Sequence, residues 1–244
     1  MTTNQTSRRR GLVWAILGGL VLIAGIVAIV VSSLLAQSEP GPTANATPQP
    51  TASPSTAEPP AGDVVDASVV DHGWLPELIT RDREVYIRAA LEAAATFDTT
   101  KSTREEWLDY LDSWFTPDTR YLSEADQQAA MDASQVEFRT GVVLPEEEWD
   151  SLANEEGRVI AATTGELVYV PVTDDTSGDM SIGTSDVTLT FTRSDGSGGE
   201  TSYEEQVRVS VQVLCGPGSV PAPDSTQQAG DCKVVRYFTE PLEP

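Results

Sequence analysis

Histidine, cysteine and basic residues are all scarce in this 244-residue chain, and each scarcity limits the kinds of functional site that the chain can form. The single histidine, His72, has no positioned partner that we can assign, so we give it no catalytic role. The two cysteines, Cys215 and Cys232, are too few for a tetrahedral zinc site. We therefore predict that the chain is not an enzyme, and that it needs no metal and no cofactor.

Basic residues number 15 against 38 acidic ones. Three of the basic residues lie within the first 38 positions, which contain no acid, so the remainder has 12 basic and 38 acidic residues and a net charge of −26. Such a surface repels phosphates, and we predict no direct binding to nucleic acid. The acidity favours solubility or, alternatively, selects a basic protein partner.

An uncharged segment of 26 residues, 11–36, directly follows Arg8, Arg9 and Arg10. As an α-helix it would be about 39 Å long, enough to cross a hydrocarbon core of about 30 Å. The arginines place the first ten residues in the cytoplasm and everything after residue 36 outside. A cleaved signal peptide is the alternative, although its apolar part is only about 7–15 residues long. We predict a single-pass protein of the cell membrane.

Residues 37–63 follow the apolar segment and contain seven prolines with almost no large apolar side chain. This composition cannot form a core, and it predicts a semi-rigid stalk of at most about 80 Å. Beyond it, Cys215 and Cys232 lie on the outer side of the membrane. An even number of cysteines in an oxidising compartment predicts one disulfide.

Residues 64–244 form one domain whose first half has helical periodicity. The spacing of apolar residues predicts a helix over 81–97. Thr103 and Glu106 have the spacing of a capping box, which predicts the start of a second helix that ends at Pro117. A third, shorter helix is predicted to begin after Ser123 and to run through Met131, and a further short one is predicted over 145–152.

The second half of the domain has the alternation of strands that are buried on one side. Strands are predicted over 159–172, with a break near Gly165, and over 187–192, 207–213 and 234–238. A disulfide between Cys215 and Cys232 would join the last two strands at the mouth of a hairpin. Helices first and strands after predict the α+β class, with two to three helices packed on a curved antiparallel sheet.

Three further groups of residues are candidate sites. Ser197 lies in a Gly-rich stretch that a hairpin turn explains. Glu146, Glu147 and Glu148 with Asp150 suit a solvated helix surface, and they lack the twelve-residue loop typical of calcium sites. Trp107 and Trp114 are seven residues apart on one helix face; they either pack in the core or line an apolar cleft.

The segment 107–122, with the sequence WLDYLDSWFTPDTRYL, resembles the second helix and following loop of the cystatin-like cone in the nuclear transport factor superfamily. Together with the single span and the stalk, it is similar to the membrane-anchored scaffold proteins of type IV secretion and conjugation systems of the Gram-positive type. Enzymes of that superfamily use a His and an Asp inside the cone, and the strand half of this chain has no His.

The resemblance implies a scaffold or interaction protein of a conjugative-transfer or secretion channel. Its expected partners are the membrane, other membrane or channel proteins, and further copies of itself. An extracytoplasmic module that binds a small ligand or the cell wall is the alternative, with Trp107 and Trp114 lining its cleft.

Overall fold

The computed structural model describes residues 63–244. Arg8–Arg10, the predicted span 11–36 and residues 37–62 of the predicted stalk lie outside the described residues. The described part is an α+β domain, which confirms the predicted class. Its helices are a 3-10 helix at Ala67–His72, α1 at Arg83–Ala93, α2 at Arg104–Asp112, α3 at Glu124–Gly141 and α4 at Glu146–Ala153. Its strands are β1 at Phe97–Asp98, β2 at Arg158–Val170, β3 at Met180–Ser194, β4 at Glu200–Leu214 and β5 at Lys233–Phe238.

The strands form one curled sheet in which each strand is antiparallel to the next, in the order β1-β2-β3-β4-β5. β3 and β4 are paired along their whole length, from Met180↔Leu214 to Ser194↔Glu200. The predicted break at Gly165 is a bulge within a continuous β2, where Gly165 has a φ of 75°. A glycine suits this position because the left-handed region costs it little.

Helices α1 and α2 begin at side-chain caps. The Asp82 carboxylate accepts hydrogen bonds from the first N–H groups of α1. At α2, Thr103 and Glu106 form the predicted capping box, each bonded to the backbone of the other. These caps satisfy N–H groups that have no partner within the helix, and so they define where the two helices begin.

The apolar sides of the helices pack on one face of the sheet, which we call the inner face. Period-two alternation puts Val187, Leu189 and Phe191 of β3 on this face, and the register aligns Val187 with Val207 of β4. The main core lies between this face and the helices. Its largest fully buried apolar side chains include Trp107, Trp114, Tyr86, Tyr237, Phe138, Ile87 and Leu111.

Three elements are longer than predicted, among them β4, which begins at Glu200 although its predicted start is residue 207. α3 has 18 residues, and only Phe138 in it is buried, so it has no long apolar stripe that faces the core. β3 begins at Met180, seven residues before the predicted start at Val187. The first half of β3 is buried although several of its side chains are polar. The C-terminal segment packs on it, and Thr184 Oγ1 donates a hydrogen bond to the Leu242 carbonyl at 2.8 Å.

Candidate functional site

An apolar cleft of about 340 Å³ opens between the inner face and the segment that joins α3 to α4. The strands supply Val187, Leu189, Val207 and Val209 to its wall, because alternate residues of adjacent strands share one face. The charged residues among the lining are Glu205 and Arg208. The cleft can therefore accommodate an apolar group with a polar end near those two residues. Its remaining lining comprises Leu91, Ala94, Ala95, Phe97, residues 141–145, Val159, Phe191, Phe238 and Thr239.

Trp107 and Trp114 do not line this cleft. Both side chains are buried in the core. The Trp107 ring lies 4.9 Å from that of Phe97 and 5.5 Å from that of Trp149, between centroids. Of the two alternatives for these tryptophans, the structure shows packing in the core, and neither side chain is among the residues that line the cleft.

The predicted disulfide is present between Cys215 and Cys232. It joins the end of β4 to the residue just before β5, and the two strands are neighbours in the sheet, as predicted. The loop that it closes is docked on the domain by Gln227, whose Nε2 donates to Glu77 Oε1 at 3.3 Å. The disulfide and the loop contact thus hold the same end of the sheet.

Glu77 belongs to a buried ion pair that the sequence did not reveal. Lys233 Nζ lies 2.9 Å from Glu77 Oε1, and each side chain is only 1% exposed. The hydroxyl of Tyr86 donates to the same carboxylate at 2.6 Å, and Lys233 also donates to the carbonyl of Ser113 at 2.8 Å. The pair therefore joins the segment before α1, the end of α2 and the last strand at one point.

Burial dominates the electrostatics of this cluster. It raises the pKa of Glu77 and lowers the pKa of Lys233, while the attraction between the two charges opposes both shifts. Burial also raises the pKa of Tyr86, and the neighbouring Glu77 carboxylate raises it further. Because every polar group of the cluster is in use as a structural bond, we interpret it as a clamp of the fold and not as a reactive site.

The outer side of α3 presents an exposed apolar stripe, formed by Leu122, Ala125, Ala129, Ala133 and Val136, of which Leu122 immediately precedes the N-cap of the helix. The spacing of three and four residues puts Ala125, Ala129, Ala133 and Val136 on one side of the helix, and Leu122 lies just before the start of that side. The Leu122 side chain is fully exposed and that of Val136 is 61% exposed. Apolar side chains aligned along one exposed helix face are typical of a surface that binds another protein.

The remaining candidates are dispersed over the domain. His72 is exposed and stacks on Trp74, with ring centroids 4.7 Å apart. Ser197 donates to Asp195 within the hairpin turn. The Glu146–Glu148 run forms the exposed first turn of α4. Among residues 63–244, no group of His, Cys, Asp or Glu side chains has the arrangement of a metal site.

Across residues 63–244, none of the helices combines the length and the apolar character that a membrane crossing requires.

No family model and no curated protein matches the chain. Two solved structures are similar to it. An IcmL-like type IV secretion system protein from Legionella pneumophila shares 12% identity and a TM-score of 0.39, over 67% of this chain and 95% of that one. CagV, a VirB8 homolog of the type IV secretion system from Helicobacter pylori, shares 13% identity and a TM-score of 0.29, over 57% and 82% of the two chains. Both are proteins of type IV secretion systems, the systems that the sequence resemblance named.

Proposed function

We propose that this chain is a single-pass, membrane-anchored scaffold protein whose outer domain binds other proteins of a conjugative-transfer or secretion channel. The proposed anchor is segment 11–36 with Arg8–Arg10 before it. The disulfide suits an oxidising compartment, as expected of a domain outside the membrane. The assignment to a channel comes from the combination of a single span, a stalk and a domain that resembles the cystatin-like cone, which together are similar to the scaffold proteins of such systems.

The exposed apolar stripe of α3 carries the proposal of an interaction domain. Full burial of a Leu or Val side chain contributes about 1.5–3 kcal/mol, so covering Leu122 and Val136 would contribute several kcal/mol to binding. The helix buries only Phe138 in its own domain, which leaves this side free for a partner.

The charges beside the stripe favour a basic partner. Glu124, Asp126 and Asp132 are exposed on α3. The arginine of the same helix, Arg139, is already paired with Asp109 and Asp112 of α2. A partner helix with Lys or Arg beside its own apolar stripe would therefore complement this surface, whereas a second copy would bring acidic residues together.

Photo-crosslinking in intact cells of the native host tests the proposal. A photoreactive residue at Leu122 or at Val136 should give crosslinks to membrane or channel proteins, identified by mass spectrometry. The same residue at Glu147 on α4, which is also exposed, is the matched control and should give none of these products. Crosslinks from Leu122 no different from those of Glu147 would contradict the proposal.

A second candidate function is the binding of a small apolar ligand in the cleft. Its volume of about 340 Å³ lies at the lower end of the range for ligand pockets, about 300–1,000 Å³. Ala95→Trp would fill the cleft from its α1 side, while Val85→Trp on the exposed side of α1 is the matched control. Native mass spectrometry should then show a bound apolar molecule in the wild type and in V85W but not in A95W. An empty wild-type protein would contradict this function.

A further inference from the structure

Among residues 63–244, no strand pairs with the outer edge of β4 over most of its length. β5 pairs with β4 only from Ser210 to Leu214, whereas β4 begins at Glu200. The other side of β4 is paired with β3 throughout. Residues 200–209, which we call the β4 edge, therefore direct a row of backbone N–H and C=O groups away from the sheet. Residues 200–207 within it are exposed.

The opposite edge of the sheet is covered by side chains. β1 covers only the first two residues of β2. Beyond them, Thr96 Oγ1 accepts a hydrogen bond from the N–H of Ala161 at 3.1 Å, and Glu92 Oε1 accepts one from the N–H of Thr163 at 2.8 Å. In the part of the chain that the structure describes, no side chain makes such a bond to the backbone of the β4 edge. The two edges are therefore built differently, one capped and one open.

The β4 edge is long enough to bind a strand. Its ten residues exceed the mean strand length of about 5–6 residues. Alternate residues of a strand point both backbone groups to the same side, so about five residues of the β4 edge can pair with an added strand. An exposed edge of this kind is a template for main-chain recognition.

The charges of the β4 edge select the partner. Glu200 is paired with Arg158, and Arg208 is paired with Asp186 and Glu243. Within residues 63–244, Glu204 and Glu205 make no ion pair, which leaves the centre of the edge acidic. Antiparallel pairing of two copies of this edge would place like charges opposite each other, which is destabilising. The edge is therefore suited to a basic segment of another protein.

On the inner face the β4 edge carries two apolar side chains, Tyr203 and Val207, with Glu205 between them. Tyr203 and Val207 are 39% and 36% exposed. Tyr203 stacks on Phe191, with centroids 4.9 Å apart, and Val207 also belongs to the wall of the apolar cleft. A strand added along the β4 edge would continue this apolar surface with every second side chain.

We infer that the β4 edge binds an extended, basic segment of another protein as a sixth strand of the sheet. In this segment apolar residues alternate with polar ones; the apolar residues lie on the inner face beside Tyr203 and Val207, and Lys or Arg side chains lie on the opposite face near Glu204. The inference rests on the proposed function, because it names the chemistry of a partner for the interaction domain.

Hydrogen–deuterium exchange on the full-length chain in detergent tests this pairing. The probe is a peptide of sequence KVTVKVTVK, with an acidic counterpart EVTVEVTVE and a proline counterpart KVTPKPTVK that keeps the charge but cannot form a strand. The basic peptide should slow amide exchange within residues 200–209, and neither counterpart should do so. Equal slowing by the proline peptide, binding without slowing, or no binding at all would overturn the inference.

Charge reversal on the protein separates the β4 edge from general acidity. E204K should weaken binding of the basic peptide by about fivefold, since one cross-strand charge pair contributes about 0.2–1 kcal/mol and its reversal adds repulsion. E147K on α4 changes the net charge equally and should leave binding unchanged. An equal loss in both variants would overturn the inference. Crosslinking from Leu122 concerns a different surface, so a negative peptide result removes strand addition and leaves the proposed function standing.

Discussion

Replacement of Lys233 by methionine removes one half of the buried ion pair and keeps a side chain of similar length. In the wild type, Lys233 Nζ lies 2.9 Å from Glu77 Oε1, and both side chains are 1% exposed. The variant leaves the Glu77 carboxylate buried with only its neutral donors, the hydroxyl of Tyr86 and the amide of Gln227. It also removes the donor that binds the Ser113 carbonyl.

Removing one partner of a buried pair costs about 3–5 kcal/mol, because the other charge stays buried without compensation. That is a large part of the total stability of a domain, about 5–15 kcal/mol. For a domain of this size, each kcal/mol corresponds to about 2–4 °C in Tm, so K233M should lower Tm by about 6–20 °C. The double variant E77M/K233M should lose much less than the sum of the two single variants.

Urea unfolding of the full-length chain in detergent, followed by tryptophan fluorescence, measures these differences. Arg236→Met is the matched control on the same strand, because the Arg236–Glu137 pair is 44% and 29% exposed, and exposed pairs contribute about 0–1 kcal/mol. The pKa of Glu77 is raised by burial, so in K233M the folded state holds this proton at pH values where the unfolded state has lost it. The stability of K233M should therefore fall as pH rises above about 4.3. A loss no greater than that of R236M, or the same loss at every pH, would refute the reasoning.

Three further predictions concern ionisation, the disulfide and topology. Burial raises the pKa of Tyr86, Tyr110 and Tyr237. The unfolded chain therefore loses these protons at lower pH than the folded domain, and the stability of the fold should fall as pH rises above about 10. In an alkaline titration followed by absorbance at about 295 nm, these three tyrosines should ionise only when the domain unfolds. Replacing Cys215 and Cys232 by alanine should lower the free energy of unfolding by about 3 kcal/mol and Tm by about 6–12 °C, given the separation of 17 residues. A change in Tm below about 2 °C in a thermal melt would contradict this. Protease added to spheroplasts should digest the domain and spare an N-terminal epitope, and the reverse pattern would contradict the predicted topology.

Local signals in the sequence predicted much of the fold. The Thr103–Glu106 capping box starts α2 as expected, and the alternating valines of β4 lie in a long strand. These predictions succeeded because capping and period-two alternation depend on residues a few positions apart. The same local patterns predicted the start of α3 after Ser123 but not its extension beyond Met131, because only Phe138 in it is buried and few of its apolar residues face the core.

The clamp and the surfaces depend on contacts between distant residues. Glu77 and Lys233 are 156 positions apart, and charged residues are ordinarily expected at the surface, so their burial could not be read from either neighbourhood. The early start of β3 could not be predicted for the same reason, because the C-terminal segment, distant in sequence, covers Thr184. The open β4 edge follows from how far β5 extends, which no local pattern specifies.

The native complex of the protein is the most direct test of the central claim that the domain binds other channel proteins through α3. The double variant L122D/V136D places charges on the exposed apolar stripe, and the fold should tolerate it because both side chains are exposed. In blue-native electrophoresis of solubilised host membranes, the wild type should migrate in a complex larger than the single chain, and L122D/V136D should migrate as the free chain with an unchanged Tm. Migration of the variant in the same large complex would contradict the claim.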